Sequence, residues 1–290
     1  MDKRILVTGA NGQLGSELRT LAAQGAPYRF LFTDTGTLDI GDREAVLAFL
    51  HENRPEYIVN CAAYTAVDQA EDEPELCYRI NRDAVGNLAD GAARTGARIV
   101  HVSTDYVFDG THHTPYREDD APAPDSVYGR SKYEGELRLL AACPQSVILR
   151  TAWLYSASGR NFVKTMLRLA GERDEIRVVA DQIGTPTYAA DLAAVILTVI
   201  DRSEAGCFHP GLYHYSNEGV CSWYDFAVFI LQAAGFGRCR VVPIETADFP
   251  AKARRPFYSV LNKSKIKHTY GLGIPHWSDS LARCLQALRK

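Results

Sequence analysis

The sequence lacks the long apolar runs of a membrane protein and the strong positive charge of a nucleic-acid-binding protein. No apolar stretch among its 290 residues approaches the length that spans a bilayer. The net charge of −3 gives no overall attraction to nucleic acid or to an anionic membrane. The first apolar run directly follows Met1-Asp-Lys-Arg, which leaves no room for a signal peptide. We therefore expect a cytoplasmic location, with neither nucleic acid nor a membrane as a partner.

The sequence also lacks paired cysteines, internal repeats and low-complexity linkers. Its seven cysteines are dispersed and never form Cys-x-x-Cys, so the sequence predicts neither a disulfide framework nor a zinc site. The composition is 46% hydrophobic and 23% charged, and the length suffices for a sizeable core. These features indicate a globular chain with one large core, or with a nucleotide-binding domain and a smaller partner.

Short apolar runs alternate with helical patterns along the chain. Such alternation predicts an α/β fold with a doubly wound, Rossmann-type parallel sheet. The predicted strands are 5–7, 29–33, 57–61, 99–103, 147–150 and 177–180. The predicted helices lie near 12–24, 42–53, 74–95, 126–142 and 159–171.

The alternation becomes less regular after residue 150, where aromatic, proline and histidine residues are frequent. We therefore expect a dinucleotide-binding domain followed by a smaller C-terminal substrate-binding lobe. The first comprises 1–150, with roughly 175–205 and 222–242 returning to it. The second comprises 151–174, 206–221 and 243–290. Open α/β sheets bind ligands at the carboxyl ends of their strands, so the lobe is expected to hold a second ligand there.

A glycine-rich turn follows the first predicted strand. The segment Gly9-Ala-Asn-Gly12-Gln-Leu-Gly15 leads into an amphipathic helix, and such a turn directs backbone N–H groups towards a pyrophosphate. Its spacing differs from Gly-x-Gly-x-x-Gly, and the alternative is an ordinary βα turn without a ligand. Asp34 favours the nucleotide interpretation, because it ends the second predicted strand near where an acidic residue meets an adenosine ribose.

Tyr128 and Lys132 are four residues apart and would share one helical face. A neighbouring ammonium favours the phenolate of a tyrosine, which suits proton exchange with a carbonyl or alcohol oxygen. The same spacing also arises by chance on exposed helices. Thr104 follows predicted strand 99–103, where its hydroxyl could donate a hydrogen bond to the same oxygen or merely cap the strand.

Small residues follow the third predicted strand, in the segment Ala62-Ala63-Tyr64-Thr65-Ala66-Val67-Asp68. Small side chains let the backbone approach a flat ligand closely, which favours a cofactor wall. The alternative is tight helix packing without a ligand, and the sequence hardly separates the two.

Four ordered motifs resemble those of an extended short-chain dehydrogenase/reductase. They are Gly9-x-x-Gly12-x-x-Gly15, Asn60-Cys-Ala-Ala63, Ser103-Thr-Asp-Tyr-Val-Phe-Asp-Gly110 and Tyr128-x-x-x-Lys132. Further segments at 62–68, 150–155, 181–187 and 255–261 are similar to the dTDP-4-dehydrorhamnose reductase family, over nearly the whole chain. The resemblance implies reduction of the C4 ketone of a dTDP-linked 6-deoxy-4-hexulose with NADPH or NADH, the last step of dTDP-L-rhamnose synthesis.

The resemblance also implies roles for individual residues. Tyr128 would protonate the alkoxide, Lys132 would lower the pKa of that tyrosine and hold the nicotinamide ribose, and Thr104 would orient the ketone. The cofactor would contact Gly9, Asn11, Gly12, Gln13, Leu14, Gly15, Asp34, Asp39, Ile40, Ala62, Ala63, Tyr64, Tyr128 and Lys132. The substrate would contact Thr65, Val67, Thr104, Asp105, Tyr106, Tyr128, Trp153 and Arg255.

Two of these substrate residues have a simpler interpretation. Trp153 could be a core aromatic, but its position after predicted strand 147–150 favours the mouth of a pocket. Arg255 belongs to the cluster Lys252-Ala-Arg254-Arg255, which is either solvated surface or a partner for a sugar-nucleotide diphosphate.

The sequence gives less direct information about the cofactor preference and the metal requirement. Asp34 should repel a 2′-phosphate and favour NADH, although the family is permissive. Some members of the family bridge a homodimer through carboxylates and magnesium. Glu17 matches one such position, whereas Asp191 is shifted by one residue from the place of a second carboxylate. The sequence therefore predicts no metal site, while the resemblance allows magnesium and a homodimer.

Three alternatives stay open. A sugar-nucleotide 4,6-dehydratase shares the Tyr/Lys pair, but Tyr106 occupies the position of the glutamate that its elimination chemistry needs. Another sugar-nucleotide 4-reductase or a 4-epimerase would also share the pair, and the epimerase would retain NAD. A non-catalytic regulatory subunit, similar to that of methionine adenosyltransferase, would use the same pocket for binding alone.

Overall fold

We describe the protein from a computed structural model that defines residues 3–289. The strands are β1 Arg4–Thr8, β2 Arg29–Phe32, β3 Tyr57–Asn60, β4 Arg98–Thr104, β5 Ser146–Thr151, β6 Leu154–Tyr155, β7 Glu175–Val179, β8 Ile183–Gly184, β9 Thr187–Tyr188, β10 Gly211–His214, β11 Cys221–Ser222 and β12 Arg240–Ile244. The helices are α1 Gln13–Ala23, α2 Arg43–Asn53, α3 Val67–Ala70, α4 Pro74–Tyr78, α5 Ala84–Thr95, α6 Val127–Ala142, α7 Phe162–Glu172, α8 Ala189–Glu204, α9 Trp223–Ala234, α10 Ser264–Tyr270 and α11 Trp277–Leu288.

Six parallel strands form the main sheet, in the order β10-β5-β4-β3-β1-β2. Strand β2 lies on one side of β1 and β3 lies on the other, so the strand order reverses between β1 and β3. Ligands of doubly wound folds bind outside the carboxyl ends of the strands at such a reversal. The fold class predicted from the sequence is confirmed.

Helices cover both faces of this sheet. Every residue of β3 and β5 is buried, the usual state of central parallel strands with apolar helices on either side. One core packs α1 and α8 around Leu18 and Ile196, and the other packs α2, α5 and α6 around Leu50, Leu88 and Leu139. The sheet is thereby held rigidly between two helical layers.

A third core forms the smaller lobe, with α7, α9 and α11 packed around Phe226 and Trp277. Strands β7 and β12 pair with each other in a separate sheet. The domain boundaries predicted from the sequence differ from this arrangement. The prediction placed β7, α9 and β12 in the nucleotide domain and β10 in the lobe. Alternation marks a strand but not the sheet that it joins, and β10 has no β-branched residue to mark it.

The predicted helix 74–95 is interrupted by a π-helical turn at Arg79–Asp83. Asn81 in this turn exchanges two hydrogen bonds with the backbone of Tyr64, at 2.9 and 3.0 Å. Gly135 on α6 allows close packing, because a Cβ there would lie 2.1 Å from the carbonyl oxygen of Asn81. The π turn, a feature often found at functional sites, therefore fixes the loop that follows β3.

A buried ion pair ties helix α6 to the sheet. The guanidinium of Arg150 on β5 donates to both carboxylate oxygens of Glu136 on α6, at 2.9 and 2.7 Å. Ser103 on β4 donates to the same carboxylate. The two charged side chains are only 2% and 3% exposed. Removing one member of such a pair leaves the other charge buried without compensation.

We predict that Glu136→Gln strongly destabilises the protein, because it leaves the Arg150 guanidinium buried and unpaired. The expected loss in the free energy of unfolding is about 3–5 kcal/mol, measured by urea denaturation. Asp119→Asn is the control, since its partner Arg117 is 66% exposed and the pair lies at the surface. A Glu136→Gln midpoint equal to that of the control would contradict this role of the ion pair.

Candidate active site

A cavity of about 590 Å³ lies at the carboxyl ends of β1, β3, β4 and β5. Of the residues predicted for the site, the cavity is lined by Gly9, Gly12, Gln13, Leu14, Ala63, Thr65, Val67, Thr104, Asp105, Tyr106, Tyr128, Lys132 and Trp153. Outside this lining lie Asn11, Gly15, Asp34, Asp39, Ile40, Ala62, Tyr64 and Arg255. Residues distant in sequence are thus brought to one cleft, at the reversal of strand order.

The glycine-rich turn lies against the loop that follows β3. Gly9 has a φ of +63°, and a Cβ there would lie 2.7 Å from the backbone of Ala62. A Cβ on Gly15 would lie 2.5 Å from Ala10. Helix α1 then begins directly after Gly12, so its unpaired N–H groups face the cleft. This turn has the shape and polarity that a dinucleotide pyrophosphate needs.

The predicted adenosine-side residues are largely engaged by the protein itself. One oxygen of Asp34 accepts from the backbone of Gly36 at 3.0 Å and of Thr37 at 3.2 Å, and the other accepts from Asn11. Asp39 forms an ion pair with Arg79 at 2.7 Å. Ile40, the other residue predicted there, is buried in the core of the main domain. Asp34 therefore closes its own turn, at the edge where the adenosine would lie.

The loop after β3 forms one wall of the cleft. Ala63, Thr65 and Val67 of the small-residue segment line the cavity. Tyr64 instead turns away, because its hydroxyl donates to Glu73 at 2.8 Å and its backbone is held by Asn81. The wall is therefore anchored from behind by the π-helical turn.

Tyr128 and Lys132 lie on the first turns of α6. Ser126 caps this helix by accepting from the backbone of Gly129 at 3.0 Å, which starts the helix immediately before Tyr128. The Lys132 ammonium is 2% exposed and donates to the carbonyl of Val102 at 2.7 Å. Both heads therefore face the cleft from a helix whose start and position are fixed.

Burial acts in opposite directions on these two groups. It raises the pKa of the Tyr128 phenol, while the nearby Thr104 hydroxyl acts against that rise. It lowers the pKa of Lys132 to about 8, against the opposing effect of the Glu136 carboxylate. The family resemblance implies that Lys132 lowers the pKa of Tyr128, whereas burial dominates here. The phenol is consequently held in its protonated form, as an acid requires.

Strand β4 ends in a short 3-10 helix, Asp105–Val107, that carries the next functional residues. The Thr104 hydroxyl donates to Asp105 at 3.0 Å and accepts from the backbone of Tyr106 at 3.2 Å. A Cβ on Gly129 would lie 2.2 Å from the carbonyl oxygen of Tyr106, so α6 packs directly on this turn. Thr104 therefore has the capping role that the sequence offered as one alternative. It also faces Tyr128 across the cleft.

Tyr106 links the cleft to the C-terminal lobe. Its ring packs edge-on against Tyr128 with centroids 5.4 Å apart, and its hydroxyl accepts from Arg255 at 3.1 Å. Arg255 also pairs with Asp68 at 2.6 Å, while its neighbour Arg254 pairs with Asp125 at 2.8 Å. The basic cluster thus binds carboxylates of the nucleotide domain. The sequence analysis considered only solvated surface or a partner for a diphosphate.

Trp153 lies at the mouth of the cleft, in the rare left-handed conformation with a φ of +49°. Its ring stacks on Trp223 with centroids 3.6 Å apart. Gly184 makes room for it, because a Cβ there would lie 2.6 Å from the indole. The strained backbone turns a large aromatic face towards the cavity.

A second cavity of about 780 Å³ adjoins the first, in the lobe where the sequence predicts a second ligand. Of its lining, the sequence predicts only Tyr106 and Arg255 as substrate residues. The cavity lies in the smaller lobe and shares Tyr106 and Trp223 with the cleft. Arg177 and Arg255 contribute positive charge, and Phe249 contributes an aromatic face. The alternation of charged and apolar residues in β7 indicates a strand with one exposed face. It does not reveal that β7, α7 and β12 enclose a pocket.

The carboxylates weighed for magnesium are not arranged as a metal site. Asp191 accepts from Arg283 at 2.6 and 2.8 Å, and also from Ser280 and Asn217. Glu17 accepts from Ser156 at 2.6 Å. Within residues 3–289, no group of three His, Cys, Asp or Glu side chains could hold a metal ion. Within this chain, a guanidinium already compensates the charge of Asp191.

None of the helices within residues 3–289 is long and apolar enough to cross a membrane.

Comparison with known proteins gives consistent matches over nearly the whole chain. The family model described as the RmlD substrate binding domain matches residues 3–290. A dTDP-4-dehydrorhamnose reductase from Aggregatibacter actinomycetemcomitans is 44% identical, over 96% of this chain and 97% of the relative.

Two solved structures agree with these matches. A dTDP-4-dehydrorhamnose reductase from Clostridium acetobutylicum has a TM-score of 0.94 and 44% identity, covering 99% of this chain and 100% of that one. The enzyme of the same name from Bacillus anthracis, in complex with NADP, has a TM-score of 0.93 and 43% identity with the same coverage. The chain therefore belongs to the dTDP-4-dehydrorhamnose reductase family.

Proposed function

We propose that this protein reduces the C4 ketone of dTDP-4-dehydro-L-rhamnose to give dTDP-L-rhamnose, with NADPH or NADH as the reductant. The observation that carries the proposal is the half-buried Tyr128 phenol, which faces Thr104 and stands one helical turn before Lys132 in a cleft with a dinucleotide-binding turn. The relatives named above support the substrate, because they carry this activity in their names. NADP in the Bacillus anthracis structure supports the cofactor class.

The protein residues would manage the proton and the orientation of the sugar. A nicotinamide cofactor would supply the hydride when bound in the cleft. Tyr128 is protonated because of its burial, and it would donate that proton to the oxygen of the ketone as negative charge develops there. The Thr104 hydroxyl would orient the same oxygen, while the Lys132 ammonium favours negative charge nearby. Gly9 and Gly12 would admit the pyrophosphate.

The second cavity would hold the nucleoside diphosphate of the substrate. Its volume, about 780 Å³, is within the range of small-molecule sites, and it opens beside the sugar end of the cleft. Guanidinium groups suit diphosphate oxygens, and aromatic faces suit a pyrimidine base. Arg177 and Phe249 supply these two features in the lobe.

The remaining proposals concern location and assembly. All seven cysteines are free thiols, which supports a reducing compartment and hence the cytoplasm. A homodimer is the assembly implied by the family resemblance.

Tyr128→Phe tests the proposed function most simply. The wild-type protein should oxidise NADPH when dTDP-4-dehydrorhamnose is added. The oxidation is measured as a loss of nicotinamide absorbance. The variant should bind NADPH normally, yet its kcat should fall by about 10²–10⁴-fold because only the proton donor is removed. Tyr133→Phe, on the same helix, is the matched control and should keep wild-type turnover. Full activity of Tyr128→Phe would rule out the assigned acid, and an inactive wild type would contradict the reductase.

Arg177→Gln tests the diphosphate subsite. Losing a charge-assisted contact made equally in the ground and transition states should raise KM for the sugar nucleotide by roughly ten- to a hundredfold. Neither kcat nor the affinity for NADPH should change. Arg168→Gln is the control, because Arg168 pairs with Glu172 on the exposed side of α7 and does not line the cavity. An unchanged KM for Arg177→Gln would remove this residue from the subsite.

A further inference from the structure

A segment without helix or strand, residues 250–256, follows β12 of the lobe and packs against the nucleotide domain, and we call it the strap. Its ends are fixed, because a 3-10 turn precedes it and Phe257 directly after it accepts from the backbone of Ile183 at 2.7 Å. Within residues 3–289, the backbone of the strap makes one hydrogen bond, from the N–H of Ala253 to the carboxylate of Asp68 at 3.1 Å. The middle of the strap therefore depends on side chains for its position.

The three basic side chains of the strap bind carboxylates of the nucleotide domain. Lys252 pairs with Asp72, Arg254 with Asp125 at 2.8 Å, and Arg255 with Asp68 at 2.6 Å. Ala253, which lies between them, is 3% exposed, so the strap is packed closely on that domain. Ion pairs at a surface are individually weak and are screened by salt. The strap is therefore closed by contacts that can open and form again.

The strap lies where the two cavities meet. Arg255 lines the second cavity and donates to Tyr106, which lines both cavities. Asp68 directly follows Val67, which lines the cleft. A sugar nucleotide with its diphosphate in the second cavity and its sugar in the cleft would span this junction. The strap therefore borders the passage between the two halves of the proposed substrate.

We propose that the strap is a gate, closed by its ion pairs, which opens to let the sugar nucleotide enter and leave. This inference rests on the proposed function for the identity of the ligand, whereas the opening of the strap can be measured without any ligand. The pair of Lys252 and Asp72 joins two protein groups outside both cavities, so it forms with or without a ligand. It therefore slows entry and exit alike and leaves the dissociation constant nearly unchanged.

Lys252→Glu tests whether the ion pairs hold the strap, because it places a carboxylate opposite Asp72. Trypsin should then cleave the bond after Arg254, identified by mass spectrometry, about three- to tenfold faster than in the wild type. Lys252→Glu combined with Asp72→Lys restores a pair with its charges exchanged, and cleavage should return to within about twofold of wild type. Arg43→Glu, opposite Asp90 in a pair of similar exposure away from the strap, is the control and should leave this cleavage unchanged.

The same variants test the gate when they are mixed rapidly with dTDP. Trp153 and Trp223 lie beside the cavities, so their fluorescence follows binding. For Lys252→Glu, we expect the association and dissociation rate constants of dTDP to rise together by about three- to tenfold, with Kd within about twofold of wild type. The variant with exchanged charges should restore both rate constants.

Three results would overturn the gate. Cleavage of Lys252→Glu at the wild-type rate would show that the ion pairs do not hold the strap closed. Faster cleavage with unchanged rate constants for dTDP would show that the strap opens without controlling access. Faster dissociation with unchanged association would assign the pair to the shape of the binding site.

Two further outcomes are separated by the same measurements. If Lys252→Glu fails to fold, KCl replaces it, because screening should accelerate cleavage of the wild type more than cleavage of an unfolded peptide with the strap sequence. Equal acceleration of the two would overturn the gate. A wild-type protein that binds no dTDP would contradict the proposed function, while the cleavage rates would still decide whether ion pairs close the strap.

Discussion

The buried ion pair between Glu136 and Arg150 sets the geometry on which the active site depends. It joins α6 to β5, and the Ser103 hydroxyl extends it to β4. Lys132 stands one helical turn before Glu136, and Thr104 directly follows Ser103. The acid, the ammonium and the orienting hydroxyl are therefore held by one network behind the cleft. Because the charges are almost fully buried, the helix cannot shift along the strands without leaving one of them unpaired.

The same burial sets the electrostatic character of the cleft. It keeps the phenol of Tyr128 protonated and the carboxyl group of Asp105 a weaker acid than usual, while it makes Lys132 easier to deprotonate. The phenol that would supply the proton is thereby stabilised in its protonated form, which suits the reduction of a ketone. A dehydratase would need a second carboxylate beside Asp105, where this chain has Tyr106 bound to Arg255.

The parts of the site that depend on local sequence patterns could be predicted. The glycine-rich turn, the i,i+4 pair Tyr128 and Lys132, and Thr104 at a strand end each follow from helix or strand geometry. Part of the turn, both members of the pair and Thr104 line the cleft. The Glu136–Arg150 pair was missed, because nothing local shows that a glutamate on a helix meets an arginine on a later strand.

The smaller lobe was predicted least well. Its cavity is built from α7, β7, Trp223 and the segment around Phe249, which are distant in sequence and meet only in the fold. Strand β10 was assigned to the lobe although it completes the main sheet. The periodicity of a segment predicts its secondary structure but not its partner, so the substrate side of the site required the structure.

The most direct test of the central claim is to follow the transferred hydride itself. NADPH deuterated at the transferring position of the nicotinamide would be incubated with dTDP-4-dehydrorhamnose and the protein, and the sugar product analysed by NMR. We predict dTDP-L-rhamnose with deuterium bound to C4 and none elsewhere. Unchanged ketone, or a product without deuterium at C4, would contradict the assignment of this protein as a C4 reductase.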